Sequence, residues 1–431
     1  MTITFVGHGY VGLVTATVFA DLGNKVHVIG HSQEKIDNLK KGILPIYEPG
    51  LEEMVKRNVS AGRLLFSLDY DGVKESEVVF IAVGTPPMPT GEADLSVVFD
   101  VAEKVGKSLA DYTVVIVKST VPIGTNFRVK ELIEKVKPEG VEFDIASVPE
   151  FLREGVAITD TLHPSRIVIG TETKKAQEKL TQLHKPIDGE LVLTNIPTAE
   201  MIKYASNAFL AIKISFANAI AQLSEKTGAY GPDVLRGVGL DRRIGMSFLN
   251  AGAGWGGSCF PKDVKALDAI AKENGYNFSM IKSAQQINEE AMQLMVEKAV
   301  KMLGDVKDKT IGVLGLAFKP DTDDMRDAPA IYIINKLLEA GAKIQTFDPI
   351  ALDNGKRIFK NKANIVFCED EYSVAKGADL LMLVTEWNEF KEMDLAKVKE
   401  LMHSANLIDG RNIYDIEKAK ALGFNYLGVG R

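Results

Sequence analysis

Cysteine is almost missing from this chain: two residues, Cys259 and Cys368, in 431. Two thiols cannot build a disulfide framework. They fit a reducing compartment, and the chain is read as cytosolic. No apolar run reaches the length of a membrane span, so no membrane partner is expected. The opening Met1-Thr2-Ile3-Thr4-Phe5-Val6-Gly7 has no basic stretch ahead of an apolar one and is not read as a signal peptide. Positive charge is in deficit, with 51 Lys and Arg against 58 Asp and Glu and a net charge of −7. That disfavours nucleic acid as a partner, and a phosphate ligand must find a local basic pocket. Low-complexity tracts and heptad arrays are also absent, and no metal site is expected. What remains is an ordinary globular mixture, 46% hydrophobic and 25% charged, long enough for two or three domains.

The organisation follows from changes of pattern. Over residues 1–196, short β-rich runs alternate with helical ones: Thr2–Val6, Lys25–Ile29, Val78–Val83, Thr113–Lys118, Asp144–Ser147 and Ile167–Ile169. Several lack polar alternation, as strands of a parallel sheet covered on both faces do. Over 197–303 the pattern is helical. Thr198 is placed to cap a helix, and Ala199 to Lys226 contains no Pro or Gly, which predicts a rod of roughly 40 Å. Over 304–431 the alternation resumes at Thr310–Leu314, Lys343–Phe347, Asn364–Phe367, Leu380–Val384 and Asn406–Ile408. The expected fold is α/β: two Rossmann-like, doubly wound domains joined by a helical central domain with one long helix. Each outer domain opens with a strand entering a glycine loop, at Gly7 and at Gly315.

Four constellations carry chemistry. Gly7-His8-Gly9-Tyr10-Val11-Gly12 follows the first strand and opens a helix. Its glycines allow a tight turn, close approach of a pyrophosphate and packing of helix on strand, and the helix N-terminus offers N–H donors. The second strand should end in an acid for the adenosine ribose, but Gly30-His31-Ser32 stands there with Lys35 one turn on. That set could receive a 2′-phosphate, so NAD and NADP both stay open. In Gly252-Ala253-Gly254-Trp255-Gly256-Gly257-Ser258-Cys259-Phe260-Pro261-Lys262-Asp263, a thiol sits in a flexible loop before a helix expected near Lys262. A thiol at a helix N-terminus beside a lysine is nucleophilic, with Asp263 one turn on as a base. Cys368, inside an apolar run, is read as structural.

Glu200, Lys203 and Asn207 share one face of the long helix, where Lys and Asn could stabilise an oxyanion. Three strand ends supply the rest. Glu150 is a base or water-orienting group, with Glu154 placed near a nicotinamide. Thr120 in Lys118-Ser119-Thr120-Val121-Pro122 offers a hydroxyl, and Thr85 and Pro86 follow Gly84.

With these pieces and Tyr47-Glu48-Pro49-Gly50, Gly315-Leu316-Ala317-Phe318-Lys319 and Asp409-Gly410-Arg411-Asn412, the chain resembles the UDP-glucose/GDP-mannose dehydrogenase family from Ile3 to Asn412. The resemblance implies a four-electron oxidation of a nucleotide-sugar C6 alcohol to a carboxylate with NAD, without release of the aldehyde. By that likeness Cys259 is the nucleophile, Lys203 and Asn207 position the oxyanion and water, Glu150 and Asp263 are acid/base carboxylates, and Thr120 helps hold the water. Phe151, Leu152, Asn250, Gly254, Trp255 and Gly256 fall to the sugar site, and Phe318, Lys319 and Arg411 to the nucleotide sugar. Arg243 reaches the sugar from a neighbouring subunit in dimeric members. Lys262 and Arg326 belong to the cofactor side. Three positions depart from the family pattern: Gly30 for the ribose-binding Asp, Val148 for a frequent Asn, and Trp255 for Phe or Tyr. The Pro149-Glu150-Phe151-Leu152 run and the Asn250–Trp255 loop point to UDP-glucose, with GDP-mannose as the substrate alternative. A homodimer through the long helix is expected. Two rivals differ in output: a two-electron hydroxyacid-type dehydrogenase would reduce one cofactor per substrate, and a silent nucleotide-sugar sensor none.

Overall fold

The runs without polar alternation are strands whose successive side chains enter two different cores. In the computed structural model, which describes residues 1–431, Val78 and Phe80 pack into one apolar cluster while Val79 and Ile81 pack into another; Val114 and Ile116 alternate with Val115 and Val117 in the same way. A strand with both faces covered has no position to give to water. Phe5 stacks on Phe80 with ring centroids 4.4 Å apart, and Phe19 closes the group. Each such buried ring contributes roughly 2–3 kcal/mol.

Eight strands form the first sheet: β1 (Thr2–Val6), β2 (Lys25–Ile29), β3 (Leu64–Ser67), β4 (Val78–Ile81), β5 (Thr113–Val117), β6 (Phe143–Ser147), β7 (Arg166–Thr171) and β8 (Glu190–Thr194). Their order is β3-β2-β1-β4-β5-β6-β7-β8. The pairings are parallel except that β7 runs antiparallel to β6, so the sheet is mixed where a parallel one was expected. β3 and β8 were not read from the sequence. β3 is four residues long, and β8 is an edge strand with Leu191 and Leu193 exposed, so neither shows a buried strand's pattern. Strand order reverses between β1 and β4, the place where a ligand crevice opens beyond the strand ends.

The second sheet holds β9 (Thr310–Leu314), β10 (Lys343–Phe347), β11 (Ile365–Phe367), β12 (Leu380–Leu383), β13 (Asn406–Asp409) and β14 (Asn425–Leu427), in the order β11-β10-β9-β12-β13-β14 and all parallel. β14, three residues at an edge, also escaped the sequence reading. The chain divides into two compact units, Met1–Ser206 with Lys265–Tyr276, and Asn207–Val264 with Asn277–Arg431. The helical middle is shared between them.

The long helix spans Ile196–Thr227, 32 residues or ~48 Å. It starts three residues earlier than expected. Its cap is Asn195, whose side-chain oxygen accepts from Thr198 N at 2.9 Å, rather than Thr198. Pro197 sits in the first turn, where its missing N–H costs nothing. No helix is long and apolar enough to cross a membrane.

Candidate active site

In the first unit the glycine loop leaves β1 at the switch point. Gly7 has φ 118°, and a Cβ there would stand 2.3 Å from the Ala82 carbonyl oxygen, so only glycine fits. Gly9 precedes the helix Tyr10–Asp21, which has no side-chain cap and no acid in its first turn, and nothing lies within 4 Å of a Cβ built on Gly9. Open, uncapped N–H groups at a helix N-terminus fit the pyrophosphate of a dinucleotide. Val11 continues that helix. The hydroxyl of Tyr10 donates to Glu48, whose carboxylate also accepts from Gly155 N and Ala157 N at 2.7 Å each. Tyr10 and Glu48 thus tie the loop carrying Glu154 to the dinucleotide turn. Sequence reasoning gave Glu48 no role, although it stood in a quoted motif.

At the end of β2, a Cβ on Gly30 would meet Ile36 Cδ1 at 2.7 Å and His8 Nδ1 at 3.1 Å. There is no room for the expected acid without a shift. His31 stands 4.9 Å from His8, ring to ring, with Lys35 one turn along the helix Gln33–Lys40 that Ser32 caps. Burial, then His31 and Lys35, hold the His8 pKa below its ordinary value. Thr85 donates to the Thr120 carbonyl at 3.0 Å and Ser119 to the Val83 carbonyl at 2.6 Å, which fastens together the loops leaving β4 and β5; Pro86 is exposed beside them.

Glu150 and Lys203 form a buried ion pair, 2.8 Å apart and each less than a tenth exposed. The second oxygen of Glu150 accepts from Leu152 N at 2.7 Å. Burial alone would raise this carboxyl, but Lys203, the Leu152 N–H and Lys118 bring it below its usual value. Lys203 also stands 5.4 Å from the centre of the Phe151 ring, whose face Arg166 covers at 3.7 Å. Glu200 does not join this group. It accepts from Gly124 N, Asn126 N and the Asn126 amide at 2.7, 3.1 and 2.6 Å, capping the helix Thr125–Val136.

In the second unit Cys259 immediately precedes the helix Phe260–Glu273, and its carbonyl accepts from Asp263 N at 2.8 Å. It therefore occupies the N-cap, and the helix starts two residues before Lys262, where it was expected. The thiol is partly exposed, belongs to no disulfide, and lies 3.5 Å from the Ser258 hydroxyl. Asp263, fully buried, accepts from the Asn207 amide and from Lys262, each at 2.5 Å. The helix macrodipole adds partial positive charge at the sulfur's end. Gly257 has φ 88°, and a Cβ on it would enter the Phe318 ring at 2.8 Å. Lys319 lies 5.9 Å from that ring.

Trp255 is buried. Its indole N–H donates to Ser215 at 3.0 Å, and its backbone is held on both sides by Asn288. It anchors the loop from below, while Gly254 presents its carbonyl to Arg411 at 3.2 Å and Gly256 packs on the Asp327 carbonyl. Arg411 also donates to the Val384 carbonyl at 2.6 Å, at the end of β12. Asn250 is exposed at the mouth of the loop. Arg326 pairs with Asp324, and its carbonyl accepts from Gly257 N. Arg243 projects into solvent, paired with Asp241. The Gly315 loop is not a second dinucleotide cradle, since Asp348 takes the N–H groups of Leu316 and Ala317 at 2.7 and 3.0 Å. Cys368 is half-buried, with its thiol pKa raised by burial. No group of three or more His, Cys, Asp or Glu side chains is arranged to hold a metal ion.

Comparison with known proteins gives one consistent result. Residues 1–188 match the NAD binding domain of the UDP-glucose/GDP-mannose dehydrogenase family, residues 197–290 its central domain, and residues 312–416 its UDP binding domain. The UDP-glucose 6-dehydrogenase TuaD of Bacillus subtilis (strain 168) is 46% identical over 430 residues, covering 100% of this chain and 93% of that protein. The UDP-glucose 6-dehydrogenase of Rhizobium meliloti (strain 1021) is 44% identical over 439 residues, covering all of both. A solved UDP-glucose dehydrogenase from the hyperthermophilic archaeon Pyrobaculum islandicum superposes with a TM-score of 0.92 at 37% identity, covering 99% of this chain and 97% of that one.

Proposed function

The chain belongs to the UDP-glucose/GDP-mannose dehydrogenase family, and we propose that it oxidises C6 of UDP-glucose to the carboxylate of UDP-glucuronate through a covalent intermediate on Cys259. The observation that carries the reading is a partly exposed thiol at a helix N-cap, with a buried carboxylate one turn on that is held by an amide and an ammonium. A two-electron dehydrogenase has no use for that arrangement. Bound at the open helix N-terminus beyond Gly9, NAD supplies the hydride acceptor, twice for each sugar.

The protein's own groups do the remainder. The C6 hydroxyl must lose its proton as hydride leaves, and Glu150 or a water it orients, with Thr120, receives it. The Cys259 thiolate adds to the aldehyde before it can escape, giving a thiohemiacetal, and the second oxidation turns this into a thioester. A water activated by a carboxylate, Asp263 or Glu150, cleaves the thioester. Lys203 and the Asn207 amide stabilise the oxygen anion of each step, roughly 3–4 kcal/mol for one well-placed donor. Lys262 and Glu154 serve the cofactor side, and Phe318, Lys319 and Arg411 the nucleotide sugar.

Two finer readings belong to the same proposal. NADP is accepted beside NAD, because Gly30 leaves no acid to repel a 2′-phosphate and His31, Ser32 and Lys35 surround its place. The protein pairs as a homodimer through the long helix, which exposes Phe209, Phe216 and Leu223. Such a stripe of large apolar side chains needs a cover. The test is steady-state turnover of UDP-glucose and GDP-mannose with each cofactor. Two reduced cofactors per UDP-glucose are expected. One per sugar, or none with any UDP or GDP sugar, overturns the reading.

A further inference from the structure

We propose that Lys118 is a positioning residue for Glu150: from the end of β5 it supplies a second buried positive charge that holds the carboxylate when Lys203 shares its charge with a developing oxyanion. The inference rests on the proposed function and adds a residue to it.

Lys118 directly follows β5, 7% exposed, with its backbone N–H on the Ile81 carbonyl at 2.9 Å. Its ammonium lies 3.5 Å from the Val148 carbonyl, at the end of β6, and 5.9 Å from the centre of the Phe80 ring on β4. A bond of 3.5 Å to one carbonyl is a poor return for burying an ammonium. Two titratable groups act on it, Glu150 and Lys203 on the long helix, and it acts in turn on His184 of the helix Lys174–His184. His184 is buried, with its pKa pulled down to about 4, so it brings no charge at neutral pH. The cluster thus holds two ammonium groups against one carboxylate. Excess positive charge in a buried place is useful where negative charge is about to form, since it is worth more there than in water. It also eases a competition in the site. Lys203 already donates to Glu150 at 2.8 Å, and a lysine that also stabilises an oxyanion divides its charge between two anions. Glu150 would then keep the Leu152 N–H and the charge of Lys118. Burial pulls the Lys118 pKa down to about 8, with Glu150 opposing and Lys203 adding to the shift. It is charged at neutral pH and loses its proton in mild alkali.

The experiment compares the wild type with Lys118→Met and Lys118→Arg over pH 6 to 10, recording kcat, KM for UDP-glucose, and urea unfolding. The wild-type kcat is expected to fall as pH rises through about 8. Lys118→Met should lose ~10- to 100-fold in kcat at pH 7, with KM within about threefold, and show no fall near pH 8. Lys118→Arg, which cannot deprotonate, should recover most of kcat and move the fall to higher pH. The Lys118→Met/Glu150→Gln double variant should lose less stability in urea than the sum of the two singles. The idea is overturned by wild-type kcat in Lys118→Met, by a fall near pH 8 that survives in Lys118→Arg, or by additive losses in urea. If Lys118→Met does not fold, the pH profile of Lys118→Arg decides alone. A wild type that does not oxidise UDP-glucose would defeat the proposed function, and the urea coupling would still judge Lys118 with Glu150.

Discussion

Asn207 and Asp263, 56 positions apart in sequence, meet through a 2.5 Å hydrogen bond from the amide to a fully buried carboxylate. The bond fixes which way the amide faces, because only its NH2 side can donate to the carboxylate. The Asn207 oxygen is thereby turned away from Asp263. Asp263 is held on its other oxygen by Lys262 at 2.5 Å. Removing the carboxylate disturbs both neighbours. Asp263→Asn is expected to lower kcat ~10²- to 10⁴-fold with little change in KM for UDP-glucose. Rapid-mixing absorbance at 340 nm reads it, and a wild-type kcat would exclude Asp263 from the chemistry.

Cys259→Ser should bind UDP-glucose with near-normal affinity and fail to form acid at a useful rate, with a loss of ~10³-fold or more. Titration calorimetry gives the affinity, and product analysis gives the acid. Turnover close to wild type would remove the thiol from the mechanism.

Cofactor choice is tested at His31 and Lys35. The wild type is expected to use NADP measurably. The double variant His31→Ala/Lys35→Ala should raise KM for NADP about tenfold, a difference of ~1.4 kcal/mol, and leave KM for NAD within about twofold. A strict NAD requirement, or equal effects on both cofactors, defeats the phosphate pocket. Gly30→Asp should lower Tm, since its Cβ must displace Ile36.

The buried lysine leaves a mark on stability. The folded-state pKa of Lys118 is about 8, against an ordinary value near 10.4. Between those two pH values the unfolded chain binds the extra proton, so this group makes stability rise with pH, by up to about 3 kcal/mol. Lys118→Met should lack that rise. Urea unfolding of both proteins at pH 7.5, 9 and 10.5 measures the difference, and parallel curves would contradict it. Glu150 acts in the other direction. Its lowered pKa gives stability present above about pH 4.3 and lost as pH falls through the folded value.

Phe216→Glu with Leu223→Glu places two charges on the exposed face of the long helix. The pair is expected to convert the proposed dimer to monomer without lowering secondary structure content. Light scattering after size exclusion checks it, and a variant that stays dimeric would put the contact elsewhere. Arg243, exposed on the same unit, should matter to KM only in the proposed dimer.

Much of this protein can be read along the chain, because the information is local. The glycine turn after β1, the doubly buried strands, the cysteine ahead of a helix, and the four-residue spacing of Lys203 and Asn207 each follow from the rules of a strand, a turn or a helix. Short or edge strands such as β3, β8 and β14 were not legible, because half-exposed residues follow no clean pattern. Asn195 displaced Thr198 as the cap because either side chain could serve, and only the backbone path chooses between them.

The rest was decided by folding. Glu200, Lys203 and Asn207 look alike as one polar stripe, yet tertiary contacts gave Glu200 to a neighbouring helix end, Lys203 to Glu150 and Asn207 to Asp263. Trp255 turned inward to Ser215, and Lys118, at the end of β5, became a buried charge against the Val148 carbonyl. Sequence alone determined which groups capable of this chemistry are present and on which elements they ride. Only the tertiary structure decided which of them lose water and which partner each then finds. Desolvation and charge pairing depend on distances in space that spacing along a chain does not contain.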